Sequence, residues 1–271
     1  MSPVPAESPA GAAGGPRPVR AATTLTLWAA ARASVSTDAL LQAVEAAGGR
    51  AGIRAGNAEV AELTGLPGPG EPSAGTMALL PLLRKGGRPE LLLPHAGDLR
   101  GLPPRGDITV PALDVGAVVV LPELGIGLLP VDGLWRAYRC TGGNPPVDLL
   151  QAHQLIDDAV TDATRRLMTA DIARGSDRVR ERVREMILAE AVDTPPGTPQ
   201  RASALLAKAI SLQALLAVAA GHETAAVTSR ELAVVDDALR PLTYAVREGR
   251  RAAVDLAVRT LAGDDRPSRI S

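Results

Sequence analysis

Three residues in one short loop have the side-chain types of an acid–base or ligand-binding site. His95, Asp98 and Arg100 lie in the segment 94–101, which contains two glycines and follows an apolar run that predicts a strand. A histidine exchanges protons near neutral pH, and a neighbouring carboxylate and guanidinium can orient a polar ligand. Loops after strands often hold such groups because the sheet positions them. The alternative is structural: an Asx turn at Asp98 and a solvated Arg100.

Trp135 and Arg136 are further candidates for the same site. They belong to a segment in which bulky and polar residues alternate, which is typical of a strand. A tryptophan supplies rigid apolar area for a ligand, and an arginine binds anionic groups. If the site lies between two domains, we expect these side chains and those of the 94–101 loop to converge in one cavity.

Asp157, Asp158 and Asp162 invite comparison with magnesium-binding aspartate motifs, because carboxylates one helical turn apart can share a hard cation. Their spacing is one residue longer than the usual motif, and the second pair, at 236–237, has no third carboxylate beside it. The alternative is a solvated helix face on which aspartates pair with arginines, as Asp162 can with Arg166. We therefore expect no metal site and no cofactor.

Arg174, Arg178 and Arg182 are spaced four residues apart, which places them on one face of a predicted helix. From there they could contact the phosphates of a nucleic acid. Acidic residues, among them Glu181 and Glu185, are interleaved with them, and such alternation is typical of an exposed face with ion pairs. Nucleic-acid binding is therefore a third hypothesis, and it depends on these arginines.

The composition excludes several classes of protein. The 271 residues are 46% hydrophobic with a net charge of −1, so the chain can bury a core and has no global field that attracts nucleic acid or anionic membranes. Its single cysteine excludes an internal disulfide and a Cys-rich zinc site. Phosphate-loop and nucleophile-elbow motifs are absent from the sequence. We expect a cytoplasmic protein without a membrane span; the alternative is an export signal that begins with Arg17 and Arg20.

The first half of the chain predicts a sheet. Residues 1–20 are rich in Pro, Ala and Gly and predict a disordered tail, and residues 21–143 predict a small Gly/Pro-rich antiparallel sheet domain with one helix. The predicted elements are a strand at 23–28, a helix from Ser36 or Thr37 to 47, a hairpin of 77–83 with 90–94, a hairpin of 117–121 with 126–131, and a closing strand at 135–140.

The second half predicts helices. Residues 146–263 have apolar positions at helical spacing and predict an antiparallel helical bundle, with a disordered tail at 264–271. The run 202–220 is apolar on nearly all sides, which predicts the central helix. Pro241 is expected to kink or end the helix that contains it. The chain as a whole is therefore predicted to be α+β.

The segment from Thr194 through Gly197 to Ala209, with the run Leu239 to Leu242, resembles a group of uncharacterised actinobacterial proteins of similar length. The resemblance covers mainly the helical half. No activity is assigned to that group, so the resemblance implies no catalytic residue, and it favours a cytoplasmic housekeeping or regulatory setting.

Two main hypotheses follow. The first is a non-enzymatic interaction or regulatory protein whose helical half binds a protein partner or a second copy of the chain. It is motivated by the apolar pattern of 202–220 and by the absence of a catalytic signature. The second is an enzyme or small-ligand binder with a site between the two domains, near the 94–101 loop.

Overall fold

The computed structural model of the chain describes residues 17–99, 101–143, 145–169, 177–221 and 229–263. These residues form the predicted α+β fold, with a sheet in the first half of the chain and long helices in the second. The strands are β1 (Ile53–Ala55), β2 (Glu90–Leu92), β3 (Val118–Leu121), β4 (Ile126–Val131) and β5 (Leu134–Arg139). The helices are α1 (Pro18–Ala30), α2 (Thr37–Ala46), α3 (Ala58–Thr64), α4 (Leu79–Lys85), α5 (Thr109–Val115), α6 (Leu149–Thr169), α7 (Asp177–Glu190), α8 (Gln200–Gly221) and α9 (Ser229–Ala262).

The sheet has the strand order β1-β5-β4-β3-β2. The predicted hairpin of β3 with β4 is confirmed, and β5 follows at the predicted position. Asp132 and Gly133 join β4 to β5 with φ angles of 51° and 80°, as a type I′ turn requires. β1 pairs with β5 in parallel, Ile53 beside Trp135, so the sheet is mixed where we expected an antiparallel one. Strand β1 was not predicted, because three residues inside a Gly- and Pro-rich segment are too few to show the alternation of apolar and polar residues typical of a strand.

The prediction of a strand at 23–28 is wrong, because these residues lie in the middle of α1. All ten residues from Ala21 to Ala30 are buried, so this helix has no polar face and its sequence carries no helical period. The hydroxyls of Thr23 and Thr26 donate to the carbonyls of Val19 and Ala22, which satisfies them inside the core. Residues 17–20, assigned to the disordered tail, begin this helix instead; 1–16 and 264–271 lie outside the described residues.

The predicted hairpin of 77–83 with 90–94 is also wrong in its first arm. Residues from Leu79 form α4, while β2 pairs with β3. Pro81 occupies the first turn of α4, where a missing N–H costs no intrahelical hydrogen bond. Helices α3 and α5 were not predicted, since each has only seven residues. The predicted helix cap is confirmed: Ser36 caps α2 by accepting from the amide of Ala39.

Helix α9 lies at the centre of the second half. It packs against α6 and α8, and also against α1 and β2 of the first half. It continues through Pro241, so of the two effects expected of this proline, a kink or an end of the helix, the end does not occur. Leu242 and Ala245 next to it are buried, and their packing offsets the lost backbone hydrogen bond. The apolar core is therefore shared between α1, one face of the sheet and the helices, and a smaller cluster covers the opposite sheet face.

Helix α8 is more peripheral than predicted. It contacts α7 and α9, and it leaves Leu215 47% exposed. Within the described residues, one helix, Gln200–Ala220, is long and apolar enough by length and composition to cross a membrane, although polar residues in this run led us to expect no span. Its apolar side chains such as Leu205 and Ile210 pack in the protein core. Composition alone therefore does not distinguish this core helix from a membrane-spanning one.

Candidate functional site

The 94–101 loop forms a tight turn that is tied to α9. The amide of His95 donates to the carbonyl of Asp98 at 3.2 Å, the reverse bond is 2.8 Å long, and Gly97 between them has a φ of 83°. The Asp98 carboxylate accepts from Nη2 of Arg247 at 2.5 Å. His95 is exposed, and Arg100 lies outside the described residues. The contacts of Asp98 give this loop a clear structural role, which is to fasten the sheet to α9.

Trp135 and Arg136 do not join that loop. They lie on β5, three strand spacings from β2, which is roughly 14 Å across the sheet. Trp135 is fully buried, packed so closely on Gly49 that a Cβ there would lie 2.4 Å from the indole Nε1. Arg136, the next residue along the strand, points to the opposite face. Of the five predicted ligand-binding residues, the structure describes His95, Asp98, Trp135 and Arg136, and it does not bring these four together.

Two of the three aspartates singled out on α6, Asp157 and Asp162, make ion pairs with basic side chains. Asp157 accepts from Nζ of Lys208 on α8 at 2.5 Å, and this hydrogen bond, with the lysine charge, lowers the pKa of Asp157. Asp162 accepts from Arg165 at 2.8 Å. Among the described residues, no group of three or more His, Cys, Asp or Glu side chains could hold a metal ion. The side chain of Asp236 lies outside that description.

Of the three arginines on the predicted nucleic-acid-binding face, the structure describes the side chain of one, Arg182. Arg182 lies 3.6 Å from the Glu185 carboxylate, so it belongs to an exposed ion pair on α7. Arg184 makes a similar pair with Glu181 at 3.1 Å. Arg174 and the side chain of Arg178 lie outside the described residues. What the structure describes of this face corresponds to the alternative interpretation, a solvated helix with local ion pairs.

An open groove of about 670 Å³ lies between α6 and α9, and we call it the α6–α9 groove. It is lined by Leu155, Asp158, Ala159, Thr161, Asp162, Arg165, Arg240, Pro241 and Tyr244. Four of these side chains are apolar or aromatic, and Leu155 is 36% exposed. The α6 side carries Asp158, Asp162 and Arg165, of which Asp162 and Arg165 form an ion pair with each other, and the α9 side carries Arg240. The groove therefore combines uncovered apolar surface with an acidic side chain, Asp158, on α6 and a basic one, Arg240, on α9.

A buried polar cluster lies where α1, α7, α8 and α9 meet. Arg250 of α9 is 1% exposed and donates through Nη2 to Oε1 of Gln213 at 2.9 Å. Burial lowers its pKa to about 10, and the charge of Glu190 partly opposes that effect. Glu190 in turn accepts from Nη1 of Arg17 at 3.2 Å. Nε and Nη1 of Arg250 have no hydrogen-bond partner among the described residues.

Arg250 was not among the predicted site residues, although the sequence carries a signal for its burial. Arg250 occupies the position one turn from Val246 and from Val254, and both valines are buried. An arginine in phase with an apolar helical stripe is either buried or at the edge of the core. The residues of the α6–α9 groove were partly anticipated, since Asp158 and Asp162 were singled out for a different chemistry.

Most of the chain is similar to known proteins. Two family models match adjoining parts: the N-terminal domain of the Rv1486c-like protein over residues 22–149, and its C-terminal domain over residues 150–251. The chain is 30% identical over 275 residues to the uncharacterized protein Rv1486c of Mycobacterium tuberculosis (strain ATCC 25618 / H37Rv), covering 85% of this chain and 94% of that protein. It is 26% identical over 303 residues to the uncharacterized protein MAV321 of Mycobacterium avium, covering 89% and 98%.

No solved structure matches the chain. The relatives carry no assigned activity, so no residue role is transferred from them. The resemblance to uncharacterised actinobacterial proteins is confirmed, and it extends over both halves rather than mainly the helical one. The chain belongs to the Rv1486c-like family.

Proposed function

We propose that this protein is a non-enzymatic interaction protein that associates with a second copy of itself through the α6–α9 groove. The observation that carries the proposal is the groove itself, in which Leu155 and Pro241 are exposed beside each other on two helices whose residues Ile156, Leu242 and Ala245 pack in the core. Ridges of side chains on one helix pack into the grooves between others, so a furrow between two helices fits a helix of another molecule.

The charges of the groove favour a second copy as the occupant. In a two-fold symmetric pair the same surface is used by both molecules, so α6 of one copy can face α9 of the other. Asp158 would then meet Arg240 of the partner subunit, twice in each pair. Arg240 is now 3.2 Å from Asp237, but both side chains are at least 70% exposed. Such an exposed pair stabilises a protein very little, so it can be exchanged for an intermolecular one.

The mass of the protein in solution tests this proposal. Size-exclusion chromatography with light scattering should give twice the mass of the chain at micromolar concentration, and Leu155→Asp should give the mass of one chain. Placing a carboxylate in an apolar interface without a partner opposes association. The control is Leu188→Asp on α7, because Leu188 is 71% exposed and lies outside the groove. This variant should keep the double mass.

Two results would contradict the proposal. One is a single-chain mass for the unsubstituted protein over the whole concentration range. The other is an equal loss of association in both leucine variants, which would place the contact surface elsewhere.

A further inference from the structure

A second hollow, of about 430 Å³, lies where α1, the end of α2, the β4–β5 turn and α7 meet. Three arginines line it, Arg17, Arg20 and Arg50, and we call it the arginine hollow. Its other lining residues are Glu45, Ala46, Ala47, Gly48, Ala51, Asp132, Gly133 and Ala189. The volume is within the range of small-molecule sites, and it lies between the two halves of the chain. It shares no residue with the α6–α9 groove.

The arginines are held in place by contacts that leave other nitrogens unused. Nε of Arg20 donates to the carbonyl of Ala191 at 2.9 Å, and Nε of Arg50 donates to the carbonyl of Glu45 at 3.1 Å. These bonds restrict each guanidinium while its two terminal nitrogens make no hydrogen bond recorded within the described part of the chain. A guanidinium with two free terminal nitrogens binds phosphate in a bidentate manner, and fixing it beforehand reduces the entropy lost on binding.

The hollow also contains hydrogen-bond acceptors. Glu45 has one carboxylate oxygen, Oε1, bonded to the hydroxyl of Thr76 at 2.7 Å, and the exposed Asp132 lies at the tip of the β4–β5 turn. The lining side chains thus carry three positive and two negative charges. A bare oxyanion would be attracted by the arginines and repelled by these carboxylates. A ligand that carries both a phosphate and hydroxyl groups satisfies both sets.

The wall of the hollow depends on two glycines. Gly48 ends α2 with a φ of 117°, and a Cβ on Gly133 would lie 3.1 Å from the carbonyl oxygen of Gly48. The two turns therefore approach each other more closely than most side chains permit. This approach brings Arg50 and Asp132, which flank the glycines, to the same hollow.

We infer that the arginine hollow is a binding site for a small phosphorylated sugar. Arg20 and Arg50 bind its phosphate, and Glu45 and Asp132 accept hydrogen bonds from its hydroxyls. Arg17 lines the same hollow, but its charge is already paired with Glu190 of α7, so the phosphate falls to Arg20 and Arg50. A ligand that binds only the native state raises its stability.

Isothermal titration calorimetry on the full chain, at low salt, tests this inference. Ribose 5-phosphate and glucose 6-phosphate are the probes, and ribose, glucose and inorganic phosphate are the comparison ligands. We expect at least one sugar phosphate to bind with micromolar affinity, and each comparison ligand to bind at least tenfold more weakly. Arg50→Gln and Arg20→Gln should each weaken binding about tenfold or more, which is the loss of one bidentate phosphate contact. Arg184→Gln on the exposed face of α7 is the control and should leave the affinity unchanged.

Three results would overturn the inference. The first is the absence of binding heat for both sugar phosphates at millimolar concentration. The second is inorganic phosphate binding as tightly as the sugar phosphates, which would remove the role of the carboxylates. The third is an equal affinity in Arg50→Gln, Arg20→Gln and the control. Because Arg50 is exposed, its replacement should not affect folding, which circular dichroism checks.

Discussion

Replacing Arg250 by methionine should be tolerated, while replacing its counter-charge should not. Burial lowers the pKa of Arg250 to about 10, and the fall corresponds to about 3 kcal/mol of unfavourable free energy for a charged guanidinium in the folded protein. Arg250→Met removes that cost and fills a similar volume. It also removes the hydrogen bond to Gln213, worth about 1.5–3 kcal/mol for a charged donor. The two effects nearly cancel, so we expect a change in unfolding free energy within about 1.5 kcal/mol.

Glu190→Gln should be much more damaging. It leaves the guanidinium of Arg250 buried without an opposing charge, which costs about 3 kcal/mol. The double variant Arg250→Met/Glu190→Gln should recover part of this loss, since position 250 then needs no opposing charge, while Arg17 still lacks its carboxylate partner. Urea denaturation measures all three, and Glu181→Gln on the exposed side of α7 is the control. If Arg250→Met lost as much stability as Glu190→Gln, the burial cost of the Arg250 charge would not offset the gain from its hydrogen bond to Gln213, and the reasoning would be refuted.

The same pKa predicts a pH dependence with a definite sign. Below pH 10, Arg250 is protonated in both the folded and the unfolded state, so its burial cost is constant. Above pH 10 the folded state loses the proton first, so the unfolded state binds more protons and stability rises with pH. Between pH 9 and 11 the unsubstituted protein should gain on the order of 1 kcal/mol relative to Arg250→Met. A constant or falling difference would contradict the lowered pKa.

Two other substitutions test the structural contacts of Asp98 and Trp135, which had been predicted to bind a ligand. Asp98→Asn should lower the free energy of unfolding by about 2 kcal/mol in urea denaturation, because it leaves the largely buried Arg247 without its carboxylate partner. The control, Glu59→Gln, removes an exposed ion pair and should change that free energy by less than about 0.5 kcal/mol. Equal effects of the two substitutions would contradict a role of the loop in fastening the sheet to α9. Gly49→Ala should lower the free energy of unfolding by about 1–3 kcal/mol and shift the tryptophan fluorescence, because the new Cβ would lie 2.4 Å from Nε1 of Trp135. The control, Gly75→Ala, adds a Cβ with no atom within 4 Å. An unchanged stability of the Gly49→Ala protein would refute the close packing of Gly49 on Trp135.

The parts of the fold that could be predicted are those with a local signal. The turn at 122–125 between two apolar runs indicated β3 and β4, alternation indicated β5, and Ser36 marked the beginning of α2. Helix α1 was missed because a helix buried on every side carries no helical period. The 79–83 run was assigned to a strand because a short apolar segment fits either structure, and tertiary packing decides between them.

The candidate sites were harder to predict because their residues are far apart in sequence. Asp98 meets Arg247, which is 149 residues away, so nothing near the loop indicated its partner. The arginine hollow combines side chains from α1, the α2–β1 turn, the β4–β5 turn and α7. Each of these residues is ordinary in its local context. A site of this kind becomes visible only when the topology is known.

Exchange of charges across the proposed interface tests the central claim of self-association most directly. Asp158→Arg alone and Arg240→Asp alone should each reduce dimer formation, because each places like charges opposite one another in both halves of a symmetric pair. An equimolar mixture of the two variants should restore the dimer mass in light scattering, since every contact in the mixed pair again joins opposite charges. If the mixture remained monomeric, or if neither single variant reduced association, the α6–α9 groove would not be the surface through which two copies associate.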